Sequence, residues 1–334
     1  MNKRNKLVLL LGGILGLALI ILWLNFVPLD EVVGYFREIK PGFVILASVC
    51  YLFAYFVRSL RWNLILRNTV RIPVKDSWLY AMGGNLVNYL IPIRAGELVK
   101  TWFIKKNHHV GMAQTLPSVF IDKTFDTLGI VSVLILIPFL TIRINLALGI
   151  LLLLLGLVFL LSASILLLAA WRKDMVISLL AVFLRLCPKR IRPRLEGFMR
   201  QFVAGLNLFE HKPLMLVGAL LLTGFGIFLD GLYFYLLFVS FGIEFSFLMV
   251  LFGYTLINLS YALPQPPAQL GSNEWMMIII FSLGFSLTKS SASAIMAFAH
   301  ILTAFLMGVV GTAAFAISGY EVVQMIFKGE KIDG

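Results

Sequence analysis

Long apolar stretches punctuated by short basic patches organise this chain. Leu7 to Val27, Leu146 to Ala170, Leu214 to Val239 and Ser291 to Ile317 each reach the roughly 20 apolar residues that cross a hydrocarbon core of about 30 Å. Each is expected to be a helix, because lipid offers the backbone no hydrogen-bond partner. The pattern predicts about six full spans, at roughly 7–27, 42–62, 115–139, 146–170, 213–240 and 291–318. Two shorter apolar pieces stand apart. Ser77 to Ile93 contains Gly83-Gly84, Asn85 and Asn88 and runs into Pro92, while Trp275 to Leu287 is shorter still. Such lengths point to re-entrant or interfacial segments rather than crossings, and broken helix at that depth survives only inside protein or beside a wet cavity. The expected fold class is therefore all-α: a polytopic integral membrane protein with about six spans and two pairs of re-entrant or broken helices. It reads as a single domain over 1–334, with a first half to about 170, a basic segment at about 171–212 and a second half at about 213–320.

Composition agrees. Apolar residues make up 60% of the 334 positions and charged residues 13%, against about 25% charged in ordinary soluble domains. The net charge of +12 invites a nucleic-acid reading, which the placement of the basic residues removes. With a cytosolic N-terminus, Lys3, Arg4, Lys6, Arg67, Arg71, Lys75, Lys105, Lys106 and the cluster from Arg172 to Arg200 fall on one side, and little beyond Arg37, Lys40, Arg143 and Lys289 on the other. That asymmetry is the positive-inside pattern; it places both termini in the cytosol and the chain in the cytoplasmic membrane. The first span is longer than a signal-peptide core and Trp23 to Asp30 offers no small-residue cleavage site, so it is read as a retained anchor. Segment 174–212 alternates apolar and basic residues and is expected to lie on anionic inner-leaflet lipids. Cys50 and Cys187 fall in a span and a cytosolic segment, where a disulfide is not expected.

The two halves echo each other. Tyr89-Leu90-Ile91-Pro92 precedes Gly96-Glu97, and Tyr261-Ala262-Leu263-Pro264 precedes Gly271 and Glu274. In the topology above, the first pair enters from the cytosol and the second from outside, the layout of inverted repeats that hold a site near the midplane.

Charged residues inside the spans carry the candidate chemistry. Arg58 and Arg61 sit three apart and share a helix face, as do Asp122 and Asp126 four apart, with Lys123 three before Asp126. Intramembrane charges are costly and face the bundle interior or a water-filled cavity. For Arg58 and Arg61 the competing reading is snorkelling or interfacial anchoring beside Trp62; for Asp122 and Asp126 it is an ion pair that only fixes packing. Arg94, Glu97 and Lys100 follow the Pro92 break. Arginine suits phosphate through its planar fork, and Glu97 suits a role in orienting Arg94 or Lys100. Glu274 joins the candidate set, with helix N-terminal capping as its alternative. Asp230 and His300 read as single polar groups with structural partners. There is no phosphate loop, no His-Glu-x-x-His, no ligand set around His108-His109, and no soluble stretch of catalytic-domain size. No catalytic residue, metal or cofactor is assigned.

Taken together, Arg58-x-x-Arg61-Trp62, Pro92-x-Arg94-x-Gly96-Glu97-x-x-Lys100, Asp122-Lys123-x-x-Asp126 and the Pro264 to Glu274 loop resemble the lysylphosphatidylglycerol synthase transmembrane-region family, the flippase-like domain, over nearly the whole chain. The resemblance implies a helical domain that moves a lipid between leaflets. It also implies that this chain, ending at Gly334, lacks the soluble aminoacyl-transferring domain of the full synthases and does not make the lipid. Two departures stand out: Lys100 replaces an expected Arg, and Ala268 and Gln269 occupy a loop expected to be glycine-rich, which argues against close backbone approach there. The leading expectation is a lipid transporter, not an enzyme, whose substrate-binding residues are Arg58, Arg61, Arg94, Glu97, Lys100, Asp122, Lys123, Asp126 and Glu274. Its partners would be a phospholipid or lipid-linked substrate and anionic inner-leaflet lipids, with a second copy of the chain or a separate synthase as protein partners. A membrane enzyme acting on a polyprenyl- or phospholipid-linked donor and a scaffold for a partner synthase are the alternatives.

Overall fold

A computed structural model of the chain describes residues 3–91, 95–133, 213–261 and 265–318, with isolated positions between 146 and 160. Among these the regular elements are all helical. They are α1 (Lys3–Phe26), α2 (Leu29–Phe36), α3 (Pro41–Leu66), α4 (Val74–Leu90), α5 (Gly96–His108), α6 (Met112–Ser132), α7 (Pro213–Ser240), α8 (Phe247–Ser260), α9 (Ser272–Met277) and α10 (Lys289–Ser318). α9 continues as a π-helical stretch, Ile278–Gly284. Spans expected at 115–139 and 146–170 lie partly or mostly outside the described residues, as does the basic segment 171–212.

Among the described residues, three helices are long and apolar enough to cross a membrane: Pro41–Leu66, Leu214–Ser240 and Lys289–Ser318. A fourth forms if α1 and α2, bent by 91° at the Val27-Pro28 break, count as one span. These helices leave large apolar side chains exposed along their flanks, among them Leu10, Ile14, Ile45, Val49, Leu221, Phe305 and Val309. Exposed apolar surface on this scale is unstable in water and natural in lipid.

The loops show which helix ends lie together. At one end of the bundle Lys40 N donates to Ser240 O at 2.9 Å, Ser290 Oγ donates to Glu31, and Lys289 Nζ sits 3.8 Å from the Phe26 ring centroid. At the other end Asn68 reaches Met215 and Asn107 Nδ2 donates to Ser318 O at 3.2 Å. Arg37, Lys40 and Lys289 thus mark one end, and Arg67, Arg71, Lys75, Lys105 and Lys106 the other, the segregation the charge pattern predicts.

α4 and α5 form a hairpin whose two outer ends return to the Arg67 end: Asp76 near the start of α4 lies 3.6 Å from His108 at the end of α5. The helices touch because neither contact residue has a side chain. A Cβ on Gly84 would stand 2.7 Å from Gly96 O, and one on Gly96 would strike Gly84 O, so the pair follows the small-residue rule for close helix approach. α8 and α9 form a second hairpin from the opposite end, where Phe245 packs against Phe281 and Phe285. Its break reaches the middle of α1, since a Cβ on Gly16 would meet Pro266 Cβ at 3.1 Å. The two broken hairpins therefore enter from opposite ends and meet at depth.

Candidate functional site

Where the hairpins meet, they enclose with α3, α6, α7 and α10 a cavity of about 640 Å³. Its wall carries eight of the polar positions that matter here: Arg58, Arg61, Asn88, Glu97, Lys100, Asp122, Lys123 and Asp126. The cluster is built by helix periodicity. On α3 a three-residue step puts Arg58 and Arg61 on the face toward α6 and α7; on α6 a four-residue step turns Asp122 and Asp126 back toward them.

Arg61 is the most constrained member, with 1% of its surface exposed. Its Nε donates to Asp122 Oδ1 at 2.7 Å, its Nη2 to Asp126 Oδ1 at 2.6 Å and to Asp122 O at 3.2 Å, and its Nη1 to Thr223 Oγ1 at 3.0 Å. This rules out the snorkelling and anchoring readings for Arg61: the guanidinium points inward and every nitrogen has a partner. Arg58 likewise turns inward. It holds Asp230 of α7 in a two-pronged pair, with Nη1 to Oδ1 at 3.1 Å and Nη2 to Oδ2, and its Nε lies 3.9 Å from Asp126. Removing one partner of such a buried pair typically costs about 3–5 kcal/mol, so these ions fix α3, α6 and α7 against one another.

A second group hangs from the first. Glu97 opens α5, where a carboxylate suits the positive helix end, and it is shared: Lys100 Nζ lies 3.2 Å from Oε2 and Lys123 Nζ 3.4 Å from Oε1. Asn88 locks it in place, donating Nδ2 to Glu97 Oε1 at 3.2 Å while its Oδ1 accepts from Gly96 N at 2.7 Å. Lys123 also reaches Asp126 Oδ2 at 3.5 Å, which joins both groups into one network. Lys100 is buried, its Nζ 5.7 Å from the Trp62 ring centroid. Among the described residues the network holds four cations (Arg58, Arg61, Lys100, Lys123) and four carboxylates (Asp122, Asp126, Asp230, Glu97). Arg94 lies outside the described residues.

Glu274 is placed elsewhere. It is buried beside His300, with His300 Nδ1 2.7 Å from its Oε1, and is absent from the cavity wall. The loop before it corrects a second expectation. Ala268 and Gln269 adopt left-handed backbone, φ 53° and 57°, a conformation that costs an L-residue roughly 1–2 kcal/mol. The close approach they seemed to forbid is made by Gly271, φ 77°, whose missing Cβ would stand 2.9 Å from Ile20 N of α1. His300 Nε2, 2.7 Å from Ala268 O, holds the strained turn.

Sequence reasoning gave Asp230 a structural partner, as found, and gave Asn88 no place in the site. A lone Asp in an apolar helix does signal a buried partner, but nothing in the sequence says that the partner is Arg58. Among the described residues no group of three or more His, Cys, Asp or Glu side chains is arranged to hold a metal ion.

Comparison with known proteins finds relatives that are membrane proteins. The chain is 24% identical to a UPF0104 membrane protein of Methanothermobacter thermautotrophicus, over 97% of this chain and 98% of the relative. It is 25% identical to a UPF0104 membrane protein of Methanocaldococcus jannaschii over 71% of this chain and 96% of the relative. A further protein of that description from the same organism is 22% identical, over 96% and 97%. No solved structure matches the chain. The family model described as the lysylphosphatidylglycerol synthase TM region matches residues 9–311, so this multi-pass membrane protein, with its ion network inside the matched region, belongs to the lysylphosphatidylglycerol synthase TM-region family.

Proposed function

We propose that the protein carries a phospholipid or lipid-linked substrate between the leaflets of the cytoplasmic membrane, with both termini cytosolic, and that it leaves the substrate chemically unchanged. One observation carries this reading: a charged hollow deep among lipid-facing helices, in which two lysines share a single carboxylate. Its volume lies within the range of about 300–1,000 Å³ usual for small-molecule sites, enough for a headgroup whose acyl tails stay in the bilayer. The family description ties these membrane regions to synthases of lysylphosphatidylglycerol, which makes phospholipid the substrate class to test first.

The ions divide the labour. Arg61 is saturated by Asp122, Asp126 and Thr223, so it holds the scaffold. Lys100 pairs with Glu97 and Lys123 with Glu97 and Asp126, and a phosphate competes with the shared Glu97 carboxylate for both ammonium groups. When the lipid leaves, Glu97 takes them back, so the lysines are compensated in both states, and Asn88 Nδ2 keeps its hydrogen bond to the displaced carboxylate.

Leaflet exchange of a fluorescent phospholipid in reconstituted vesicles tests this. Lys100→Met is expected to slow exchange roughly tenfold or more, the effect of losing a charged hydrogen bond of about 1.5–3 kcal/mol, and Glu97→Ala is expected to slow it because no carboxylate takes the lysines back from the phosphate, while both variants remain monodisperse and the lipid is recovered intact. Exchange at the wild-type rate in both would overturn the assignment.

A further inference from the structure

The Glu274–His300 pair sits outside the ion network and has a hydrogen-bond arithmetic of its own. His300 faces two acceptors at once. Ala268 O, 2.7 Å from Nε2, is a carbonyl and only accepts, so Nε2 carries a hydrogen. Glu274 Oε1, 2.7 Å from Nδ1, needs a second hydrogen between the two atoms. It rides either on Nδ1, giving imidazolium and carboxylate, or on the carboxyl, giving neutral imidazole and carboxylic acid. Both descriptions contain one proton more than a neutral imidazole beside a carboxylate.

We propose that Glu274 and His300 form a one-proton binding site, and that its proton latches the broken tip of the α8–α9 hairpin to α10. When the proton leaves, a single ring N–H remains for two acceptors. The ionised carboxylate is the stronger acceptor and takes it at Nδ1, so Nε2 turns a lone pair toward Ala268 O and that contact fails. The turn it releases is held at positive φ at Ala268 and Gln269, and is therefore poised to relax. Pro266 and Gln269 line the ion-network cavity, so the change reaches the proposed lipid site.

The surroundings leave this pair in control of its own proton. Tyr89 of α4 faces the imidazole edge-on, ring centroids 6.1 Å apart, and Tyr261 ends α8 nearby. α1 offers only the Leu19 carbonyl, which accepts from Trp275 Nε1 at 3.0 Å, and α1 carries no acidic residue and its basic residues only at its far end. Among the described residues neither Glu274 nor His300 has another ion-pair partner. Glu274 Oε2 and Asn273 Oδ1 are buried without hydrogen-bond partners. Buried Glu–His pairs of this kind are the material of intramembrane proton relays.

The coupling to transport rests on the lipid-transport reading; the proton site itself does not, and the test is chosen to separate them. Backbone hydrogen exchange over residues 265–271 is followed against pH in detergent or nanodiscs, for the wild type and Glu274→Gln. The Gln amide can donate to Nδ1 at any pH, so both contacts persist. The expected result is wild-type protection that falls as pH rises, with the variant protected throughout once intrinsic exchange is matched at each pH. Identical exchange in the two proteins at every pH would overturn the proposal. His300→Gln decides the matter if Glu274→Gln does not fold: exchange is expected to be fast and free of the wild-type transition, and a retained transition would overturn the proposal. A pH-responsive turn in a protein that moves no lipid would contradict the transport reading alone.

Discussion

The two broken hairpins share a plan and use it differently. Each runs apolar helix, Tyr-x-x-Pro, Gly, Glu, and each brings its break to the middle of the bundle. In the first, Glu97 faces the cavity, is held by Asn88 and is shared between two lysines on different helices. In the second, Glu274 turns away and pairs with one histidine, which also grips the strained turn. The same acid at the same place in the plan thus meets two lysines in one hairpin and a histidine in the other. The difference lies in what packs behind the break: α6 brings Lys123, whereas α10 brings His300.

Three substitutions break or sharpen this contrast, in decreasing order of effect. Asp122→Ala strips Arg61 of the carboxylate that holds its Nε while leaving the guanidinium buried, and is expected to destabilise the first half by about 3–5 kcal/mol, measured as lost thermal stability in detergent. Little change would mean that Arg61 is hydrated after all. Gly96→Ala drives a methyl group into Gly84 O and the Asn88 side chain; overpacking of this kind costs about 1–3 kcal/mol, and the α4–α5 amides should exchange faster while those of α8 do not. Ala268→Gly acts in the opposite direction. It relieves one left-handed residue and is expected to raise stability by about 1 kcal/mol, with the cavity network untouched; a loss of stability would mean that the turn is not strained.

Much of this contrast was legible in the sequence. Apolar runs marked the long helices because backbone in lipid must satisfy itself, and the basic residues marked which helix ends lie together. Arg58, Arg61, Asp122 and Asp126 announced a shared interior, since charges placed in apolar helices must compensate one another. Who pairs with whom was not legible: Asp230 bonds Arg58 across 172 positions, and no local spacing carries that information. Nor was the strain at Ala268 and Gln269, because neither residue type advertises left-handed backbone. Glu274 looked like the twin of Glu97 because the motif is the same, and only the helix packed behind it tells them apart.

The central claim is that a lipid phosphate competes with Glu97 for Lys100 and Lys123. Native mass spectrometry of the protein released from phospholipid nanodiscs tests it most directly. The account predicts retained phospholipid on the wild type and its loss from the Lys100→Met, Lys123→Met double variant; equal lipid occupancy on the two proteins, both folded, would contradict it.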